Sequence, residues 1–408
     1  MPGAEHKSLR RWSSRVNQLQ LKMSPILSSR PKVLVINKFY PPWIGGIEKA
    51  AALTVESLQH EIDFRVLVCA PDGHGSSQVM HGATVLRAPS VGVFRSMPVS
   101  FRFMALYQKL VRDCDMVHFH EPFPMGTWVG WRYGFPCGVL TYHSDIHRQR
   151  FLNLAYQPIF NRFLHKIDLI MPTSARLAAH SRSLSQFGHK LRPVPLGIED
   201  QAGPVTPTQR DQIQSIRESA QGRTVFFNVG RMVSYKGLDV LLDAMKYCPF
   251  AFLYLVGDGP ERPSLERLSQ ALGLTERVRF CGMVPDKDLP GYFRAADVFA
   301  LPSNSPAEAF GLTQLEAMSY GLPVINTNLL TGVPDVSLHG QTGLTVPVNN
   351  SQAFAAAMTA LSEDAGLREI FGKNARERFE RLFTLEITAK ETLKVYQEAL
   401  TKRRRQER

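Results

Sequence analysis

The sequence predicts two doubly wound α/β domains, each built on a Rossmann-like parallel sheet, facing one another across a central cleft. Three observations carry this prediction. Short runs of β-branched and other apolar residues are continuous rather than alternating, which is how strands buried on both faces read. Helical patterns separate these runs, giving the β–α alternation of a parallel sheet. The runs also fall into two sets, divided by one polar, Gly- and Pro-containing stretch, Gly197–Gln209.

The first set comprises Val33–Asn37, Phe64–Cys69, Thr84–Arg87, Met116–Phe119, Gly138–Tyr142 and Asp168–Pro172. The second comprises Thr224–Val229, Phe252–Val256, Val278–Phe280, Asp297–Leu301, Pro323–Asn326 and Leu344–Val346. Helices are predicted over 47–59, 238–247, 261–272 and 353–362, and a last helix, Glu386–Leu400, has no strand after it.

Composition narrows the function classes. The chain has 408 residues, room for two or three ordinary domains, and its 44% hydrophobic and 21% charged residues are those of a globular protein. No stretch approaches the ~18 continuous apolar residues of a membrane-spanning helix, and residues 1–30 lack the apolar run of a secretory signal. Cys69, Cys114, Cys137, Cys248 and Cys281 are scattered, with no C-x-x-C pair, which argues against a disulfide framework or zinc site and for a reducing, cytoplasmic setting. The net charge of +12 lies in the ends: residues 1–32 carry +6, residues 401–408 carry +4, and the rest only +2. A near-neutral body argues against nucleic acid as a partner.

In open parallel sheets ligands bind beyond the carboxyl ends of the strands, so the loops there carry the chemistry. After Val33–Asn37 come Gly45 and Gly46 and a helix start. The pair either makes a tight turn or lets amides at a helix N-terminus approach a phosphate. It is not the G-x-G-x-x-G dinucleotide fingerprint, which disfavours a nicotinamide cofactor. After Thr224–Val229 comes Gly230-Arg231-Met232-Val233-Ser234-Tyr235-Lys236-Gly237. Arg231 offers a forked donor and Lys236 a point charge, a pair suited to a diphosphate, although two solvated surface cations would read the same way. The third loop, Pro302 to Ala317, puts Glu308 and Glu316 eight residues apart across a loop–helix junction, with Ala309, Phe310, Gly311 and Leu312 at the turn. Carboxylates there accept paired hydroxyl hydrogen bonds, as sugar and ribose recognition requires, or serve the helix dipole.

Gly-Gly, then G-R-x-x-x-x-K-G, then Val256–Gly259 (V-G-D-G), then E-x₇-E occur in an order that resembles the family 4 glycosyltransferases of the GT-B fold, over roughly residues 32–362. The segments Thr331–Pro334 and His339–Leu344 resemble its bacterial O-antigen and exopolysaccharide branch. The resemblance implies a retaining glycosyltransferase that moves a hexose from a nucleotide diphosphate sugar to a hydroxyl of a glycan or polyprenyl-linked glycan. It implies no cofactor and no metal. GDP-mannose is the preferred donor by this resemblance, with a UDP-hexose next.

The same resemblance assigns roles. Arg231 and Lys236 hold the diphosphate and neutralise its growing charge, Glu308 holds donor-sugar hydroxyls, Glu316 the ribose, and Val284 in the Gly282–Val284 loop meets the base. Gly45 and Gly46 cap the phosphates from the first domain, and His143, after Gly138–Tyr142, matches the family's histidine near the donor sugar. His118, His120, Asp145 and Arg148 are placed on the acceptor side; the spacing of His118 and His120 invites a metal, which the family does not use. The last helix is expected to cross back onto the first domain. The chain then divides into a basic leader (1–31), an acceptor domain (32–196, plus 384–400), a donor domain (197–383) and a basic tail (401–408).

In the leader, Leu9, Trp12, Val16, Leu19 and Met23 are spaced 3, 4, 3 and 4, an apolar stripe on a basic helix. That pattern predicts peripheral contact with a membrane surface, such as the inner face of the plasma membrane, where a lipid-linked acceptor sits. A disordered leader or an organelle-targeting segment shares the composition. The rival functions are a GT-B-fold sugar-nucleotide epimerase, a phosphorylase (no lysine motif for pyridoxal phosphate is apparent), an NAD-dependent oxidoreductase, and a non-catalytic nucleotide-sugar-binding protein.

Overall fold

A computed structural model describes residues 30–43, 45–94, 97–145 and 150–406. Residues 1–29 of the basic leader, with its whole amphipathic pattern, Arg148 and the last two residues of the basic tail lie outside them.

The first sheet contains β1 (Lys32–Ile36), β2 (Asp63–Cys69), β3 (Ser76–Met80), β4 (Ala83–Ala88), β7 (Met116–Glu121), β8 (Gly138–Tyr142) and β9 (Leu169–Pro172), in the order β3-β4-β2-β1-β7-β8-β9. A small hairpin, β5 (Val93–Phe94) with β6 (Met97–Pro98), lies between β4 and β7 in the chain. The second sheet contains β10 (Thr224–Val229), β11 (Ala251–Val256), β12 (Val278–Gly282), β13 (Val298–Ala300), β14 (Val324–Thr327) and β15 (Gly343–Val346), in the order β12-β11-β10-β13-β14-β15. All pairs are parallel except β3 with β4 and the hairpin.

Both sheets are buried on both faces, which explains the continuous apolar runs: β1, β8 and β11 are buried along nearly their whole length. Each sheet also reverses its winding beside its first strand, between β1 and β7 and between β10 and β13. Those are the points where neighbouring crossovers part and leave a crevice for ligand.

The predicted strands are all present, with ends shifted by one or two residues. β3 was not predicted; it is an antiparallel edge strand of sequence SSQVM, exposed over four of its five residues, and has no apolar pattern to read. The polar stretch Gly197–Gln209 ends earlier than expected. Thr206 caps a helix over Pro207–Ala220 in a reciprocal box with Gln209, so the stretch's last residues form the helix's first turn.

The last helix runs Leu385–Gln406, so residues 401–406 of the expected basic tail continue the helix. It packs on the first domain: Ala389, Leu393, Tyr396, Ala399 and Leu400 share a core with Val33, Val35, Leu58 and Ile62. Arg192 grips Glu398 with two hydrogen bonds.

The chain crosses between the domains twice, and the crossings lie side by side. The Ile198 amide donates to Phe383 O (3.0 Å) and the Leu385 amide to Ile198 O (2.9 Å). Gly197 makes this approach possible, since a Cβ there would lie 2.4 Å from Thr384 O and from Thr388 Oγ1. Gly197→Ala is therefore expected to destabilise the protein by about 1–3 kcal/mol, read as a lower denaturant midpoint. Gly203→Ala, where a Cβ meets nothing within 4 Å, should leave the midpoint nearly unchanged.

Candidate active site

Three loops at the carboxyl ends of β10, β11 and β13 pack together on the second domain. Gly237, at φ +63°, caps the helix Leu238–Met245 and lies so close to Pro302 that a Cβ would sit 2.3 Å from Pro302 O. The Asn304 amide donates to Tyr235 O (3.0 Å). Gly259 packs as tightly on Met232, whose amide donates to Asp258 O (2.9 Å). The V-G-D-G segment therefore buttresses the Arg–Lys loop from one side and the carboxylate loop from the other.

This packing brings Lys236 Nζ to 2.6 Å from Glu308 Oε2, with both side chains about nine-tenths buried. Ser303 Oγ, fully buried, donates to the same carboxylate oxygen (2.9 Å), and Thr331 Oγ1 donates to the Glu308 carbonyl (2.8 Å). Burial works against the Lys236 ammonium, yet the Glu308 carboxylate outweighs it and holds the pKa above its ordinary value, so Lys236 stays charged. Arg231, at the start of its loop, is exposed.

Glu316 lies on the short helix Leu312–Ser319, whose N-cap Gly311 has φ +74°. Gln314 braces that turn, donating to Phe310 O and Val333 O while Asn326 Nδ2 donates to its Oε1. Glu316 Oε1 is bound at 2.8 Å by Lys49 of the first domain, an ion pair that reaches across the cleft. Val284 follows β12 and is half-buried, while Phe310 is buried in the second domain's core, edge-on to Phe383. Any contact from Phe310 to a ligand therefore comes from its backbone.

On the first domain, Gly46 opens the helix Gly46–Leu58, and a Cβ there would meet Leu312 Cδ1 across the cleft at 3.9 Å. Gly45 is different. A Cβ would fall 2.1 Å from Glu48 Oε2, because Glu48 folds back over its own helix N-terminus. Burial pushes the Glu48 carboxyl up, opposed by its own backbone amide and by Lys38. The glycine pair thus leaves room for an internal carboxylate, a use that the sequence reading missed.

The histidines form one buried array. His118 Nε2 bonds Thr141 Oγ1 (2.7 Å) and its Nδ1 bonds Tyr396 OH (2.7 Å). With both nitrogens taken and no exposure, His118 ties the last helix to β7 and does not line the acceptor side. His120 Nδ1 lies 3.1 Å from His143 Nε2, with the rings stacked at 5.4 Å. Burial pushes His118 and His143 down to about 3 and His120 well below its ordinary value, so all three are neutral. Glu121 is pushed up to about 7 by burial, despite hydrogen bonds from Thr127, the Phe123 amide and Tyr156. Asp145 accepts from Tyr142 OH (2.5 Å) and Ser181 Oγ (2.9 Å) and is half-buried. Ser303, Lys49, Glu48 and Tyr396 were not legible as site residues, because each acts on a partner distant in the chain or otherwise unmarked. Among the described residues, no group of three His, Cys, Asp or Glu is placed to hold a metal ion.

Comparison with known proteins fits this arrangement. Residues 209–378 match the family described as "Glycosyl transferases group 1" and residues 44–202 match "Glycosyltransferase Family 4". The chain is 35% identical over 343 residues to the D-rhamnosyltransferase WbpZ of Pseudomonas aeruginosa, covering 84% of this chain and 89% of that protein. It is 30% identical over 354 residues to the O-antigen chain mannosyltransferase C of Escherichia coli, covering 86% and 93%. The crystal structure of Anabaena HepE in complex with UDP superposes with a TM-score of 0.74 at 20% identity, over 90% of this chain and all of that one. Two parallel-sheet domains, a lysine–glutamate pair at the switch point of the second, and near full-length similarity to a D-rhamnosyltransferase and an O-antigen chain mannosyltransferase lead to one assignment: the chain is a glycosyltransferase of family 4 with the GT-B fold.

Proposed function

We propose that the chain transfers a hexose, with retention of configuration, from a nucleotide diphosphate sugar to a hydroxyl of a lipid-linked glycan. The observation that carries this reading is the buried Lys236–Glu308 pair beside the N-terminus of Leu312–Ser319. A diphosphate entering here meets an ammonium that stays charged and a carboxylate that accepts sugar hydroxyls. Arg231 closes on the diphosphate from the loop edge, Glu316 takes the ribose in exchange for Lys49, and Val284 flanks the base. His143 faces the donor sugar, and the departing phosphate oxygen takes the proton of the attacking hydroxyl on the same face. The cleft closes about the paired crossings at Ile198 and Thr384.

GDP-mannose is our first donor, since mannose is the sugar in one relative's name, and a UDP-hexose is the second, since HepE was crystallised with UDP. The amphipathic pattern of residues 9–23 supports work at the cytoplasmic face of a membrane. Among the described residues no helix is long and apolar enough to cross one.

A thermal-shift screen of GDP-mannose, UDP-glucose, ADP-glucose and NAD tests the donor. The true donor at a hundred times its Kd stabilises the fold by about 2.7 kcal/mol. A screen in which no nucleotide sugar raises the midpoint would sink the proposal. Sugar turnover without any acceptor would instead point to an epimerase.

A further inference from the structure

His120 and His143 meet nitrogen to nitrogen, Nδ1 to Nε2 at 3.1 Å, so one of the two atoms carries the shared proton. A neutral imidazole has a single N–H. If His143 donates from Nε2, then His120 must carry its own proton on Nε2. That atom is buried and has no partner among the described residues. If His120 donates from Nδ1, its Nε2 is instead a bare lone pair. Orphaned buried donors are rarer in proteins than under-satisfied acceptors, so the second arrangement is favoured.

We infer that His120 is a positioning residue that holds His143 as the Nδ1–H tautomer, so that His143 meets its substrate as a hydrogen-bond donor through Nδ1. Held this way, His143 is not the base that takes the acceptor's proton. Its N–H points to an oxygen, either a donor-sugar hydroxyl or an oxygen gaining negative charge. The inference rests on the placement of His143 at the donor sugar and adds the form in which the ring works there. His118, bonded at both nitrogens by Thr141 and Tyr396, lies against His120 with ring centres 4.4 Å apart and the planes tilted by 38°, and keeps that ring in place.

The test uses the full chain labelled with ¹⁵N-histidine, with the His143 resonances identified by their loss in His143→Gln. Long-range ¹⁵N–¹H correlations are expected to show His143 protonated at Nδ1. This spectrum requires no turnover, so it stands or falls independently of whether the chain transfers a hexose. In kinetics, His120→Phe keeps the ring and removes the hydrogen bond; kcat is expected to fall about 10²-fold with KM for the nucleotide sugar little changed. His120→Asn sets an amide donor near the former Nδ1 and is expected to restore most of that loss. A proton on His143 Nε2 in the native protein overturns the inference, as does unchanged kcat in His120→Phe or a His120→Asn enzyme equally slow.

Discussion

Lys236→Ala is expected to lower turnover and stability together, and a second substitution separates the two losses. Removing the ammonium takes away the charge proposed to meet the leaving diphosphate, which for a single preorganised contact of this kind costs about 10²–10³-fold in kcat. It also leaves the Glu308 carboxylate about nine-tenths buried with its ion-pair partner gone. Breaking a buried pair from one side costs about 3–5 kcal/mol. The double variant Lys236→Met with Glu308→Gln removes both charges while keeping an acceptor for Ser303. It is expected to recover most of the denaturant midpoint and none of the kcat. Glu316→Ala provides the contrast, because its partner Lys49 is half exposed and such pairs contribute about 0–1 kcal/mol. That variant should fold normally and lose donor-dependent transfer. Near-native turnover in both Lys236→Ala and Glu316→Ala would remove the donor site from this cleft.

Mild acid is the second large effect. The folded imidazoles of His118 and His143 sit at about 3 and that of His120 well below its ordinary value, all three chiefly through burial. Unfolded histidines take up protons near pH 6.5, so below that the unfolded state binds more protons and stability falls. Each imidazole withdraws about 1.4 kcal/mol per pH unit. Glu121 acts oppositely. Its folded carboxyl holds a proton up to about pH 7, so the folded state gains as pH drops from 7 toward the ordinary carboxylate value. One carboxyl against three imidazoles leaves a net loss of about 2–3 kcal/mol per unit between pH 6.5 and 4.5. Denaturant midpoints at pH 7.5, 6.0 and 5.0 measure it, and a flat profile would mean that the array is not buried and neutral as described.

The architecture was legible because its cause is local. A strand buried on both faces must be apolar throughout, and that composition survives in a single sequence, as in Val33–Ile36 and Ala251–Val256. The loops that carry Lys236 and Glu308 were legible for a related reason: Gly237 and Gly311 adopt positive φ at helix starts, and their charged neighbours lie within a few residues. β3 was not legible, since an exposed edge strand has no buried face to impose a pattern. Nor were residues 401–406, whose charge reads as a solvated tail although helical hydrogen bonding carries through them.

Sequence alone therefore determined that this is a two-sheet enzyme with a diphosphate-suited Arg–Lys loop and two carboxylates, and that its +12 charge resides mainly in its ends. Tertiary structure decided what those groups touch. It paired Lys236 with Glu308 and Lys49 with Glu316, folded Glu48 over the helix behind Gly45, and joined His118 to Tyr396, 278 residues away. The physical reason is range. Backbone preference and burial pattern act over a few residues and are written in neighbouring letters, whereas ion pairs, proton positions and buried hydrogen bonds depend on which distant side chains the packed sheets bring within about 3 Å.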